Sequence, residues 1–178
     1  MEAIALTPKS TAALIRTILR RAFPATKFSV TIGRGSGVSS VRVRWTDGPT
    51  VKSVERFVAP FECGSFDGMT DSYNYAKGAD RYLIVDGQTY HTGTRYVQTS
   101  RTVSPALANR CIAAIAAYWG GVDVVPQAVP ATWGDGYRLE PAIGRQPVRP
   151  DLGGFDHDWD TMIYRCASDR TQFTRTHD

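Results

Sequence analysis

The sequence predicts an α+β fold: a short antiparallel sheet of two β-hairpins, packed by helices on one face and followed by a Pro/Gly-rich C-terminal extension. Three observations carry that prediction. Residues 27–32 and 39–45, either side of a glycine loop, alternate apolar and polar side chains with the period of a half-buried strand. The stretches after Thr7-Pro8 and after Ser104-Pro105 repeat apolar residues at helical spacing behind a hydroxyl cap and a first-turn proline. Beyond Val122, Pro126, Pro130, Pro141, Pro147 and Pro150 recur among glycines. The expected organisation is an α+β core over residues 1–121 and an extension over residues 122–178 with a short terminal helix.

The first helix places Leu14, Ile15, Ile18, Leu19 and Ala22 on one face, and Pro24 stops it. Arg16, Arg20 and Arg21 fall outside the stripe, and the last two sit where cations complement the helix dipole. The first hairpin follows. Phe28, Val30, Ile32, Val41, Val43 and Trp45 belong to its core face, and Lys27, Ser29, Thr31, Ser40, Arg42 and Arg44 to the other. Its loop, Gly33-Arg34-Gly35-Ser36-Gly37, has the look of a phosphate-cradling run. A dinucleotide fingerprint needs a GxGxxG spacing with a helix directly after it, and here a strand follows, so the loop reads as a hairpin connection. Asp47-Gly48-Pro49 closes the strand and opens a helix over residues 49–58, with Asp47 the candidate cap and Val51, Val54, Phe57 and Val58 its apolar stripe.

Residues 59–79 show turn signals at Gly64, Asp67-Gly68 and Gly78 with Phe61, Phe66, Met69, Tyr73 and Tyr75 as anchors, and read as irregular. Residues 81–85 form an apolar strand, Asp86-Gly87 a tight turn and residues 88–92 its partner, with a further strand at residues 96–99. In the third helix Leu107, Cys111, Ile112, Ile115, Tyr118 and Trp119 share a face that Gly120-Gly121 terminates, so Cys111 reads as a small core residue. Trp133, Tyr137 and Leu139 are the anchors of the extension. Trp159, Met162 and Ile163 define a final helix over residues 158–166.

The 178 residues are 42% hydrophobic and 21% charged, the composition of a globular chain with a core. No apolar run approaches the roughly 18 residues that cross a bilayer, so no membrane partner is expected. The opening MEAIALTPKST has no basic region followed by an apolar one, so no secretory signal is expected. Cys63, Cys111 and Cys166 are an odd, scattered set that suits reduced thiols and a cytoplasmic protein. The formal charge is +4, unevenly spread: residues 1–58 hold ten Lys or Arg against three acids, and residues 59–178 eleven against fourteen. A basic front half suits a polyanion, although arginines also serve simply to solvate helix and strand faces.

Several strings combine into a recognisable pattern. A helix ending in Arg-Ala-Phe-Pro leads to Lys27-Phe28-Ser29-Val30, followed by Val41-Arg42-Val43-Arg44-Trp45-Thr46-Asp47-Gly48-Pro49-Thr50. Phe66-Asp67-Gly68-Met69-Thr70-Asp71-Ser72-Tyr73 comes next, and Gly78-Ala79-Asp80 precedes Ser100-Arg101. This pattern resembles the large polyvalent protein-associated domain family, the member numbered 29, over roughly residues 6–103. Domains of that kind occur in phages, plasmids and other mobile elements, often inside very large proteins that help the element establish itself in a bacterial host. The resemblance therefore implies a mobile-element accessory protein opposing host defence, of the anti-CRISPR or anti-restriction type. It brings no catalytic residues with it, and residues 104–178 lie beyond it.

The candidate nucleic-acid-binding residues are Lys27, Arg34, Arg42 and Arg44 on the hairpin with Lys52 and Arg56 on the next helix, because phosphate contacts need cations spread along a surface. No stacking aromatic interleaves them, since Trp45 falls on the core face by parity. The expected partner is nucleic acid, met at its phosphates, or a host defence nucleoprotein complex. No cofactor is expected. Asp156-His157-Asp158-Trp159-Asp160 lacks calcium-loop or zinc spacing and reads as an acidic turn capping the last helix, so no metal site is assigned. Cys63 with His91, or Cys166 with His157, is a pair on paper that needs proximity and an orienting third group. Asp67 and Asp71 suit turn and capping roles. A non-enzymatic binding protein is the expectation, with an enzyme or a purely structural interaction domain as the alternatives.

Overall fold

The structure, a computed structural model, describes residues 3–33, 39–149, 151 and 157–169. The chain is α+β and forms two compact units, residues 1–101 and residues 102–178. The third helix, grouped from sequence with the residues before it, lies in the second unit, because its apolar face is buried among residues 128–166.

In the first unit, β1 (Ile4–Ala5) leads into α1 (Pro8–Ala22). Thr7 Oγ1 accepts the Ser10 N–H at 3.2 Å and Ser10 Oγ accepts the Thr7 N–H at 2.8 Å, a reciprocal cap. Strands β2 (Ser29–Ile32) and β3 (Ser40–Thr46) pair antiparallel with Val30 opposite Val43 and Thr31 opposite Arg42. The Gly33 N–H donates to the Ser40 carbonyl at the base of the hairpin, and residues 34–38 of its loop lie outside the described residues. Asp47 and Gly48 both take the left-handed conformation, with φ of 56° and 59°, and a Cβ on Gly48 would stand 2.5 Å from Thr26 Oγ1. They make the corner, so Asp47 does not cap the next helix. Thr50 does, accepting the Ser53 N–H, and α2 spans Val51–Val58.

The stretch expected to be irregular contains a hairpin, β4 (Gly64–Asp67) with β5 (Ser72–Tyr75). Gly64, Asp67 and Asn74 are turn-favouring residues inside these strands, and they mask the strand period. The next hairpin, β6 (Tyr82–Val85) and β7 (Gln88–His91), turns at Asp86-Gly87 with φ of 49° and 80°, the geometry that favours this dipeptide. Strand β1 adds to β7 in parallel, giving the order β1-β7-β6. Strand β8 (Tyr96–Thr102) joins β3 to give the order β2-β3-β8. Arg95, Gln98 and Arg101 meet Ser39, Arg42 and Asp47 in turn, so β8 runs in the direction of β3. The expected pair of hairpins is thus divided among several small sheets rather than joined in one. Leu6, Ile15, Leu19, Val41, Val43, Trp45, Val54, Val58, Phe61 and Val97 form the core. Within it the Thr94 hydroxyl donates to Thr11 Oγ1 at 3.0 Å.

In the second unit, α3 (Pro105–Trp119) is capped by Ser104 and ended by Gly120 at φ 61°. The proline-rich stretch forms a hairpin, β9 (Gln127–Pro130) with β10 (Tyr137–Glu140). Helix α4 (Trp159–Ser168) is capped by Asp158, whose carboxylate accepts the Thr161 N–H at 2.7 Å. Leu107, Cys111, Ile112 and Ile115 of α3 pack with Leu139 and with Trp159, Met162, Ile163 and Cys166 of α4. Tyr137 and Leu139 dock as expected, whereas Trp133 is 90% exposed in the turn between the strands. No helix among the described residues is long and apolar enough to cross a membrane.

Candidate functional site

Strand alternation divides the first unit's β2-β3-β8 sheet into two sides, with two departures from the expected faces: Ile32 is 40% exposed, and Ser40 is buried. Val30, Val41, Val43, Trp45 and Val97 are buried on one side, and the Trp45 indole N–H donates to the Pro49 carbonyl. On the other side Arg42 stands opposite Thr31 and Arg44 opposite Ser29, all four exposed. The Arg42 Nε–H donates to Gln98 Oε1 of β8 at 3.2 Å. None of the three strands contains an Asp or Glu. Among the described residues neither arginine makes a salt bridge, so both charges face solvent uncompensated.

The five described residues of the sequence-derived binding set, Lys27, Arg42, Arg44, Lys52 and Arg56, are spread over different parts of the unit. Val54 and Val58 of α2 are buried in the same cluster as Val41 and Val43, so Lys52 and Arg56 ride on a helix covering the sheet's apolar side. Arg56 borders an apolar groove with Arg21, Phe57, Leu83 and Ile84. Lys27, just before β2, lines a surface pocket of about 420 Å³ with Arg16 and Arg20. Arg34 lies outside the described residues. Some of the neighbouring cations have structural duties: Arg16 donates to the Val30 carbonyl at 2.6 Å, and Arg21 forms a forked pair with Asp86. Arg42 and Arg44 are what the structure keeps together.

A second feature was not legible as a site in the sequence. A cleft of about 870 Å³ opens beside the β4–β5 hairpin, its wall including Cys63, Tyr73, Tyr75, Lys77, Arg81 and His91, and no carboxylate lines it. The Tyr73 hydroxyl donates to the Arg95 carbonyl at 2.7 Å, with Cys63 Sγ 3.8 Å away. Burial pushes the Tyr73 phenol above its ordinary range, and its neighbours Cys63 and Glu62 push it further, so it remains a proton donor. The Arg95 guanidinium lies over the Tyr73 and Tyr75 rings, at 5.0 and 5.5 Å from their centroids, and Tyr96 meets Tyr73 edge-on. His91 packs edge-on against Tyr82, its cross-strand neighbour. The signal that existed in the sequence was the alternation of Ser72, Tyr73, Asn74 and Tyr75, hidden by the surrounding turn residues.

The paper pairs of nucleophile and base fare differently. Cys63 and His91 do line one cleft, yet among the described residues they share no hydrogen bond. Cys166 is fully buried in the second unit's core, out of a substrate's reach, and the His157 ring packs against Trp119. Asp158 is committed to capping α4, and Asp67 to its own turn, where the Met69 N–H bond holds its carboxyl below the usual range.

The family model described as large polyvalent protein associated domain 29 matches residues 6–104. The chain belongs to that family. Its members are domains of mobile-element proteins. The matched span covers the first compact unit almost end to end, so both the arginine face and the cleft lie within the family domain. No curated protein and no solved structure matches the chain.

Proposed function

We propose that the protein is a non-enzymatic accessory factor of a mobile element that binds nucleic acid through the arginine face of β2-β3-β8. The observation that carries this reading is the pair Arg42 and Arg44, two cations that make no salt bridge among the described residues, on strands free of acids. Cations so placed contact phosphates and release counterions, which gives affinity with little sequence reading. Arg42→Glu with Arg44→Glu is expected to abolish retention on DNA or RNA columns. Arg42→Ala with Arg44→Ala is expected to flatten the dependence of log affinity on log salt by about two, near 0.9 per lost phosphate contact. Retention unchanged in the double Glu variant would sink the proposal.

The family's members are domains of mobile-element proteins, and we propose that this binding is one of the element's host-facing tasks, with a host nucleoprotein defence complex as its target. Such a complex would be captured on the tagged protein before nuclease treatment and lost after it. Survival of the complex through nuclease would move the contact from nucleic acid to protein. The enzyme alternative draws on Cys63 and His91 sharing a cleft, where the thiol's near neighbour is a neutral phenol rather than an imidazole within hydrogen-bond reach.

A further inference from the structure

We propose that the cleft beside the β4–β5 hairpin binds a nucleoside phosphate, its base against Tyr75 and its phosphate on Lys77 and Arg81. Three features of the wall lead there. First, Lys77 holds the N-cap position of a short helical turn over Gly78–Arg81 and Arg81 ends it, and among the described residues neither makes a salt bridge. With no carboxylate on the wall, the cleft's field favours an anion. Second, Tyr75 is 56% exposed and its ring is held by Tyr73 edge-on at 4.9 Å and by the Arg95 guanidinium. An exposed aromatic fixed in place costs little further ordering when a flat ring stacks on it. Third, the volume of about 870 Å³ lies in the range of small-ligand sites, ample for one nucleotide. An inorganic anion would use the cations and leave the aromatic wall idle. A sugar phosphate lacks the π-face that Tyr75 offers.

The inference is independent of the arginine face, because no residue of that face lines the cleft. The ligand has two sources, a free nucleotide or an unstacked nucleotide of a single strand. Calorimetric titration with adenosine 5′-monophosphate and with a short single-stranded oligodeoxynucleotide separates them. Binding of the monophosphate assigns a free-nucleotide site. The strand is titrated into the Arg42→Glu with Arg44→Glu protein, whose sheet face no longer holds phosphates, and binding there without monophosphate binding assigns a flipped-out residue. For whichever probe binds, Tyr75→Ala is expected to weaken it about tenfold, a typical loss for one stacked base. Tyr75→Phe retains the ring and is expected to retain binding. Lys77→Glu with Arg81→Glu, at exposed positions, is expected to abolish it with an unchanged circular dichroism spectrum. Arg42→Glu with Arg44→Glu is expected to leave monophosphate binding intact, which keeps failure of the face distinct from failure of the cleft. The proposal is overturned if the monophosphate does not bind the intact protein and the strand does not bind the Arg42→Glu with Arg44→Glu protein, or if the binding seen in either titration survives both Tyr75→Ala and the Lys77/Arg81 charge reversal.

Discussion

Glu62 sits half-buried ahead of β4, where its carboxylate accepts the Val97 N–H at 2.6 Å. Burial pushes its pKa up, the hydrogen bond pulls it back in part, and the charge of Glu55 adds to the rise. The net direction is upward, so the native state holds this proton more tightly than the unfolded chain does. Ionisation therefore opposes folding: the contribution of Glu62 weakens as pH climbs from the ordinary carboxylate value through the raised one, and is level above it. Glu62→Gln keeps an acceptor for Val97 and removes the charge. Its melting temperature is expected to match the parent at acid pH and exceed it near neutrality. Glu62→Ala strands the Val97 N–H and is expected to lose about 1–3 kcal/mol at every pH. Thermal melts of both variants across that range check the account, which fails if the Gln variant is as unstable at pH 7 as the Ala variant. Nothing in the sequence marked Glu62, because its partner is 35 positions away. Arg42 and Arg44 were legible for the opposite reason: strand parity is local, and Val41, Val43 and Trp45 fix it. The cleft needed distant segments, around residues 63, 73–81 and 91–93, to converge, and no local pattern records that.

At the scale of elements, what could be read in advance followed from capping and length. Helices α1 and α3 announce themselves through Thr7-Pro8, Ser104-Pro105 and long apolar stripes. The two-residue β1 is too short for a period. Strands β4, β5 and β9 hold turn-favouring Gly64, Asp67, Asn74 and Pro130, where the equally short β2, β6 and β7 have no Gly, Asp, Asn or Pro, and β10 adjoins Gly136, so the β4–β5 and β9–β10 hairpins passed for irregular chain. Their pairing is supported by side chains whose partners lie in other elements. In the second unit Asn109 of α3 reproduces a strand neighbour for β9: its Oδ1 accepts the Ala128 N–H at 2.7 Å and its Nδ2 donates to the Ala128 carbonyl at 2.8 Å. Asn109→Ala leaves both backbone groups of a buried residue unpaired and is expected to lower stability by about 1–3 kcal/mol. Asn109→Asp keeps the acceptor but turns an ionised oxygen toward the Ala128 carbonyl. It is expected to be at least as damaging near neutral pH and to recover toward the parent as the carboxyl protonates. Denaturant titrations at two pH values separate these outcomes, and an Asp variant indistinguishable from the parent at pH 7 would remove the two-bond account.

At the scale of the whole molecule, charge, core and family span share one boundary. Residues 1–101 carry fourteen Lys or Arg against eight acids, a formal +6, and residues 102–178 carry seven against nine, a formal −2. Each unit has its own cluster of buried residues, and the family match stops at residue 104. A fragment of residues 1–103 retains its whole core and is expected to fold alone, melt cooperatively and keep the nucleic-acid retention of the full chain. A fragment of residues 1–121 is expected to do worse despite being longer. It would carry Leu107, Ile112 and Ile115 of α3 without Trp159, Met162 and Ile163 of α4, an unpartnered apolar stripe that invites association. Circular dichroism with light scattering on the two fragments reads this directly. The boundary is misplaced if the shorter fragment is unfolded while the longer one is monomeric and cooperative. If the shorter fragment folds but no longer binds nucleic acid, the basic unit is not the binding unit, and the arginine face loses its role whatever its charge.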